Sequence, residues 1–194
     1  MKKVTIIIIV AVVAIIAIWA VSGYNSLVGM DENVSNQWAN VETQYQRRAD
    51  LIPNLVNTVK GYAQHENATL EQVVAARAKA TQLTVNADEL TPEKMKQLQA
   101  AQGELSQALG RLLMITENYP DLKANENFLD LQAQLEGTEN RINESRRLYN
   151  ESVQTYNVGI RTFPANVVAG MFGFDKRTPF EAEAGAEKAP TVEF

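Results

Sequence analysis

The stretch "VSNQWANVETQYQRRADLIPNLVNTVKGY", Val34 to Tyr62, decides how this chain folds. Val34, Trp38, Val41, Tyr45, Arg48, Ile52, Leu55, Val59 and Tyr62 follow one another at alternating steps of four and three, the spacing of one buried face of a long helix. The stripe keeps its phase across Pro53. A proline that ended the helix would free the following residues to begin a new phase, so retained phase predicts one helix kinked at Pro53. The same register places Arg48 on the apolar stripe, where an unpaired charge is costly. Two readings follow. Either the Arg48 stem packs while its guanidinium reaches solvent or a carboxylate on a neighbouring helix, or Arg47, Arg48 and Asp50 form a recognition site beside carbonyls that the proline releases.

Upstream, "VTIIIIVAVVAIIAIWAV", Val4 to Val21, has Thr5 as its one polar residue and no charge. At about 1.5 Å per residue such a helix spans roughly 27 Å, close to the hydrocarbon thickness of a bilayer. A cleavable signal peptide is the competing reading, with Ala20-Val21-Ser22 as a small-residue cleavage site. The run exceeds the usual apolar core of such a peptide, and Trp19 suits an interfacial anchor, so an uncleaved single span is expected. Lys2 and Lys3 precede the span and no Lys or Arg follows until Arg47. The positive-inside rule then puts the N-terminus in the cytoplasm and the rest of the chain outside the inner (cell) membrane, in the periplasm or the extracellular space.

Downstream the phase slips after Tyr62, with Gly61 as a helix-ending candidate and "NATLEQ", Asn67 to Gln72, offering N-caps for a second helix that begins with Leu70, Val73 and Val74. Thr91 and Pro92 open a third helix lined by Met95, Leu98, Leu105, Leu109, Leu112 and Ile115 and closed by Asn118, Tyr119 and Pro120. A fourth runs from about Glu126 to Phe163. Its seam alternates large residues with small ones, Thr138, Ser145, Ser152 and Gly159, which lets a partner helix approach closely. The expectation is therefore all-α: a single transmembrane helix (1–23), an up-and-down bundle of four long helices with coiled-coil-like packing (24–174), and an acidic, flexible C-terminal tail (175–194).

Two segments near the end are candidate contact surfaces. "FPANVVAGMFGF", Phe163 to Phe174, is too short for a span, and its large apolar groups, Phe172 and Phe174 among them, suit an interfacial segment or a subunit contact. The competing reading folds them back to close the core. The tail "DKRTPFEAEAGAEKAPTVEF" has the composition of disorder, yet Phe194 and its carboxylate could dock by strand addition or carboxylate capture.

The anchor, the block "RRADLIPNLVNTVKGYAQHE" and the later "RTFPANVVAGMFGF" resemble the LemA family of bacterial membrane-associated proteins, a likeness that covers nearly the whole chain. The resemblance implies a helical bundle behind one span and implies no reaction. Some members are encoded near membrane-associated metalloproteases, which points to envelope homeostasis.

Catalytic equipment is sparse. The 194 residues contain no cysteine and one histidine, His65, and no HExxH, phosphate loop, dinucleotide fingerprint or nucleophile elbow occurs. Beyond position 21 there are 16 basic against 23 acidic residues, a net −7 that makes a poor general binder of nucleic acid. No cofactor, metal or small-molecule substrate is expected. The functional expectation is a non-enzymatic, membrane-anchored helical scaffold or interaction protein that self-assembles or holds protein partners, in contact with lipid through residues 4–21. The alternative is an adaptor or client-binding module for a membrane protease.

Overall fold

A computed structural model describes residues 2–63, 65–83 and 85–181. Its six α-helices are α1 (Lys2–Tyr62), α2 (Asn67–Gln82), α3 (Pro92–Thr116), α4 (Pro120–Lys123), α5 (Glu126–Gly159) and α6 (Ala165–Phe172), with a short 3₁₀ turn at Ala87–Glu89. No strand occurs among the described residues. The protein is all-α. The expected boundary between anchor and bundle at residue 23 is not a break: α1 is one helix of 61 residues that carries the apolar run and the striped segment together, with Pro53 inside it. Nothing at Ser22-Gly23 is able to stop it, since a lone helical glycine costs only about 1 kcal/mol.

Local chemistry explains most ends. The Thr91 hydroxyl accepts from the Lys94 N–H with Pro92 at the first position of α3, and the Asn125 side chain accepts from the Phe128 N–H at the start of α5. At the start of α2 the cap is Glu66, without a side-chain bond to the helix. The fourth long helix stops at Gly159, short of Phe163. Pro164 disfavours helical geometry in the residue before it, and the Phe163–Pro164 bond is cis.

Helices α1 and α5 run antiparallel along most of their length. Arg48 meets Glu139, Tyr45 meets Arg146, Trp38 meets Tyr149, and Met30 lies against Gly159. Helix α2 returns along α1: Arg77 bonds the Ala49 carbonyl at 2.7 Å, and beyond the helix Val85 accepts from Trp38 Nε1 at 2.8 Å. Helix α3 reverses again, with Lys79 on α2 paired to Glu104 on α3. Of the expected α1 stripe, all but Tyr62 are buried, and Tyr62 instead takes a hydrogen bond on its hydroxyl from Asn125.

The core falls into two apolar clusters along α1. One gathers Leu27, Val34, Trp38, Val41, Tyr149 and Tyr156; the other gathers Ile52, Leu55, Val59, Leu105, Leu112 and Phe128. Arg48, in sequence between them, is buried as well.

Of the expected tail 175–194, residues 175–181 are described, and they pack on the bundle. Phe180 is buried between Trp38 and Tyr149, with ring centroids 5.9 and 5.4 Å away, and the Arg146 guanidinium lies 5.2 Å over its ring. The Asn150 amide brackets its backbone, accepting from the Phe180 N–H and donating to its carbonyl. Phe180 finds the aromatic partners that local composition does not supply. Residues 182–194, and with them the proposed docking of Phe194, lie outside the described part.

Candidate interaction sites

The three candidates Arg47, Arg48 and Asp50 are not brought together. Arg48 points inward. Its guanidinium donates to Ser106 Oγ on α3 at 2.9 Å, to the Gln102 side-chain oxygen on α3 and to Glu139 on α5, tying three helices at one level. Of the two readings of Arg48, the structure shows the pairing with a carboxylate on a neighbouring helix. Arg47 and Asp50 are exposed, and Asp50 accepts from Gln46 at 2.7 Å. The carbonyl that Pro53 deprives of its helical donor is that of Ala49, and Arg77 of α2 occupies it. Sequence reasoning anticipated a released carbonyl but had no means of choosing Arg77 among the charges of α2.

Beside this network, α1, α2 and α3 leave an open groove of about 780 Å³ whose walls include Trp38, Glu42, Tyr45, Gln46, Asp50 and Leu83. Burial pushes the Glu42 carboxyl above its usual range. Gln44 Oε1 and Arg48 Nε are buried without a hydrogen-bond partner. The groove offers mixed apolar and amide contacts. Among the described residues no group of three His, Asp or Glu side chains stands where it could hold a metal ion. His65 is exposed in the turn between α1 and α2.

The third site is α6. It packs on α1 just past the apolar run: the Phe172 and Phe174 rings lie 4.9 and 5.7 Å from that of Tyr24, and Val168 approaches Gly23. Gly173 ends the helix in the left-handed region at φ 74°, a conformation that favours glycine. Arg177 then locks the following segment. Its guanidinium pairs with Asp31 on α1 at 2.8 Å and with Asp88 of the α2–α3 connection at 2.7 Å. These carboxylates hold its pKa above the usual arginine value, so the clamp stays charged.

The fold and these surfaces define an all-helical protein with one N-terminal helix long and apolar enough to cross a membrane. A model of the LemA family matches residues 37–194, and the chain belongs to that family. Among curated proteins it is similar to magnetosome protein MamQ 2 of Paramagnetospirillum magneticum, 28% identical over 186 residues that cover 87% of this chain and 68% of the relative. It is also similar to magnetosome protein MamQ of Magnetospirillum gryphiswaldense, 27% identical with the same coverage. Protein LemA of Metamycoplasma hominis is 26% identical over 145 residues, 75% of this chain and 63% of that protein.

Proposed function

We propose that this chain is a membrane-anchored, non-enzymatic interaction protein of the bacterial envelope, built as an up-and-down bundle of four long helices, and that it works by self-assembly. The observation that carries this reading is the continuity of α1, which joins an exposed apolar run directly to a striped segment buried in the core. LemA family membership supports it. Lys2 and Lys3 favour a cytoplasmic N-terminus with the bundle outside the inner membrane. Mass determination of the purified full chain in detergent tests the assembly: a defined homo-oligomer is expected, and a monomer at all concentrations would contradict it.

The groove beside Trp38 and Tyr45 favours a second reading, an adaptor that holds an extended segment of a client for a membrane protease. Crosslinking from intact membranes through a photoreactive residue at Gln46, which lines the groove, separates the two. Capture of another protein in place of a second copy favours the adaptor.

A further inference from the structure

We propose that α6 is a lipid-docking foot, an interfacial helix whose outer face lies in the headgroup and upper acyl layer of the bilayer that α1 crosses. The proposal rests on the reading of Val4–Val21 as a span.

Helix α6 and the Phe163 that precedes it are apolar on both sides. Val168 and Ala169 are buried, while Phe163, Val167, Met171 and Phe172 stand 77, 51, 75 and 59% exposed. The sequence "ANVVAGMF" contains no charge. Asn166 is the polar side chain of the outer side, whose large groups are otherwise apolar, and no segment among the described residues covers them.

Position identifies the occupant. The apolar run ends at Val21, and Gly23, which Val168 approaches, follows about 3 Å further along the helix axis. The exposed face of α6 therefore follows closely on the exposed surface of the span, with Ser22 the single residue of α1 between Val21 and Gly23. Val168 and Phe172, one turn apart on α6, meet Gly23 and Tyr24, neighbours on α1. Both contacts fall within one turn of α1, as they do when a helix lies across its neighbour, and the proposal has α6 lying near the membrane plane with α1 upright. Trp19 and Tyr24 bracket this level, about 7 Å apart along α1, with the amphipathic rings enriched at interfaces. Arg161 and Lys176 flank the segment, both exposed, where they can meet headgroups, with the exposed Asp175 between the segment and Lys176. Eight residues are too few to span and sufficient to lie in the interface.

The absence of native cysteine makes the test clean. Single variants Met171→Cys, Ile15→Cys and Asn118→Cys of the full chain are labelled with a small fluorophore and reconstituted into vesicles of mixed zwitterionic and anionic lipid carrying nitroxide-labelled lipid. Met171 and Asn118 are exposed, so neither change disturbs packing. Several-fold stronger quenching at 171 than at 118 is expected, with quenching at 15 marking the span. Quenching at 15 but no more at 171 than at 118 overturns the foot and leaves the anchor standing. Absence of quenching at all three overturns both. Disulfide pairing between copies at 171 without lipid quenching identifies a second copy as the occupant, and equally overturns the proposal.

Discussion

Arg77 of α2 donates from Nε to the backbone carbonyl of Ala49 at 2.7 Å, the carbonyl that Pro53, four residues on, is unable to serve. A side chain from the returning helix thus completes the hydrogen bonding that the proline interrupts, and the chain keeps one helix where its sequence contains a breaker. Ala49 is buried in the packed bundle, with Arg77 set over its carbonyl.

This pairing predicts a coupled double-mutant cycle. Arg77→Met alone should cost about 1–3 kcal/mol by leaving the Ala49 carbonyl unsatisfied. Pro53→Ala should change stability by about 1 kcal/mol or less, because a backbone N–H returns to the same acceptor. In the Pro53→Ala background the Arg77→Met cost should fall to well under half. Denaturant unfolding of the four proteins measures the coupling, and strict additivity would refute the exchange of donors.

Arg48 and Glu139 predict an asymmetric pair of effects. Arg48 is buried and serves Gln102 and Ser106 as well as Glu139, so Arg48→Met should destabilise by about 2–4 kcal/mol, and Arg48→Lys should rescue little because an ammonium lacks the planar fork. Glu139 is partly exposed, and Glu139→Gln keeps an acceptor oxygen, so about 1 kcal/mol or less is expected there. Comparable losses from Arg48→Met and Glu139→Gln in urea titrations would show that the carboxylate, not the three-helix network, dominates.

How much of this was legible from sequence differs by element. The α1 stripe, the α3 cap and the need for an Arg48 partner are local or periodic properties, written in neighbouring residues. The identity of Glu139 as that partner, and of Arg77 as the donor to Ala49, depends on how α2 and α5 lie against α1, and neither carries a local mark. Phe180 was missed for a related reason. Around it stand acidic, Ala, Gly and Pro residues, and its pocket comes from Trp38 and Tyr149, distant in the chain. The groove went unread because it forms between helices.

Glycines on one helix should respond with opposite sign. A Cβ on Gly159 would stand 2.8 Å from Met30 Sδ, whereas one on Gly137 meets nothing within 4 Å. Gly159→Ala should therefore destabilise by about 1 kcal/mol or more, with part of the loss recovered by Met30→Ala, and Gly137→Ala should stabilise by about 0.5–1 kcal/mol through helix propensity. Thermal melts under identical detergent conditions compare the signs directly.

The seat of Phe180 makes residues 175–181 a sensitive reporter. Phe180→Ala should cost about 3 kcal/mol and open this segment to protease ahead of global unfolding. Cleavage near Lys176 or Arg177 at the wild-type rate would mean that the aromatic contacts contribute nothing to holding the segment.

Alkaline pH should loosen the same region. Burial pushes the Tyr149 phenol up to about 12, from 10.0 for an ordinary tyrosine, and moves Tyr45 and Tyr156 upward too. The folded chain then holds the proton more tightly than the unfolded chain, so this contribution is complete below about pH 10 and is lost as pH rises toward 12. Tyr149→Phe gives up the bond to the Thr178 carbonyl, about 1 kcal/mol at neutral pH, and should flatten the decline between pH 10 and 12. An unchanged slope in the variant would assign the alkaline transition elsewhere.

Helix α1 is also a mechanical element. With its first third seated in a bilayer, the remaining 41 residues from Ser22 to Tyr62 form an arm of roughly 60 Å with no joint at the membrane surface. Any change in the tilt of the seated part is then carried into the arm as rotation: about 10° displaces the far turn by roughly 10 Å. A change of tilt in a seated helix thereby becomes a lateral coordinate at the distal tip. Because α5 is packed along most of that arm, the whole body swings with it as one lever.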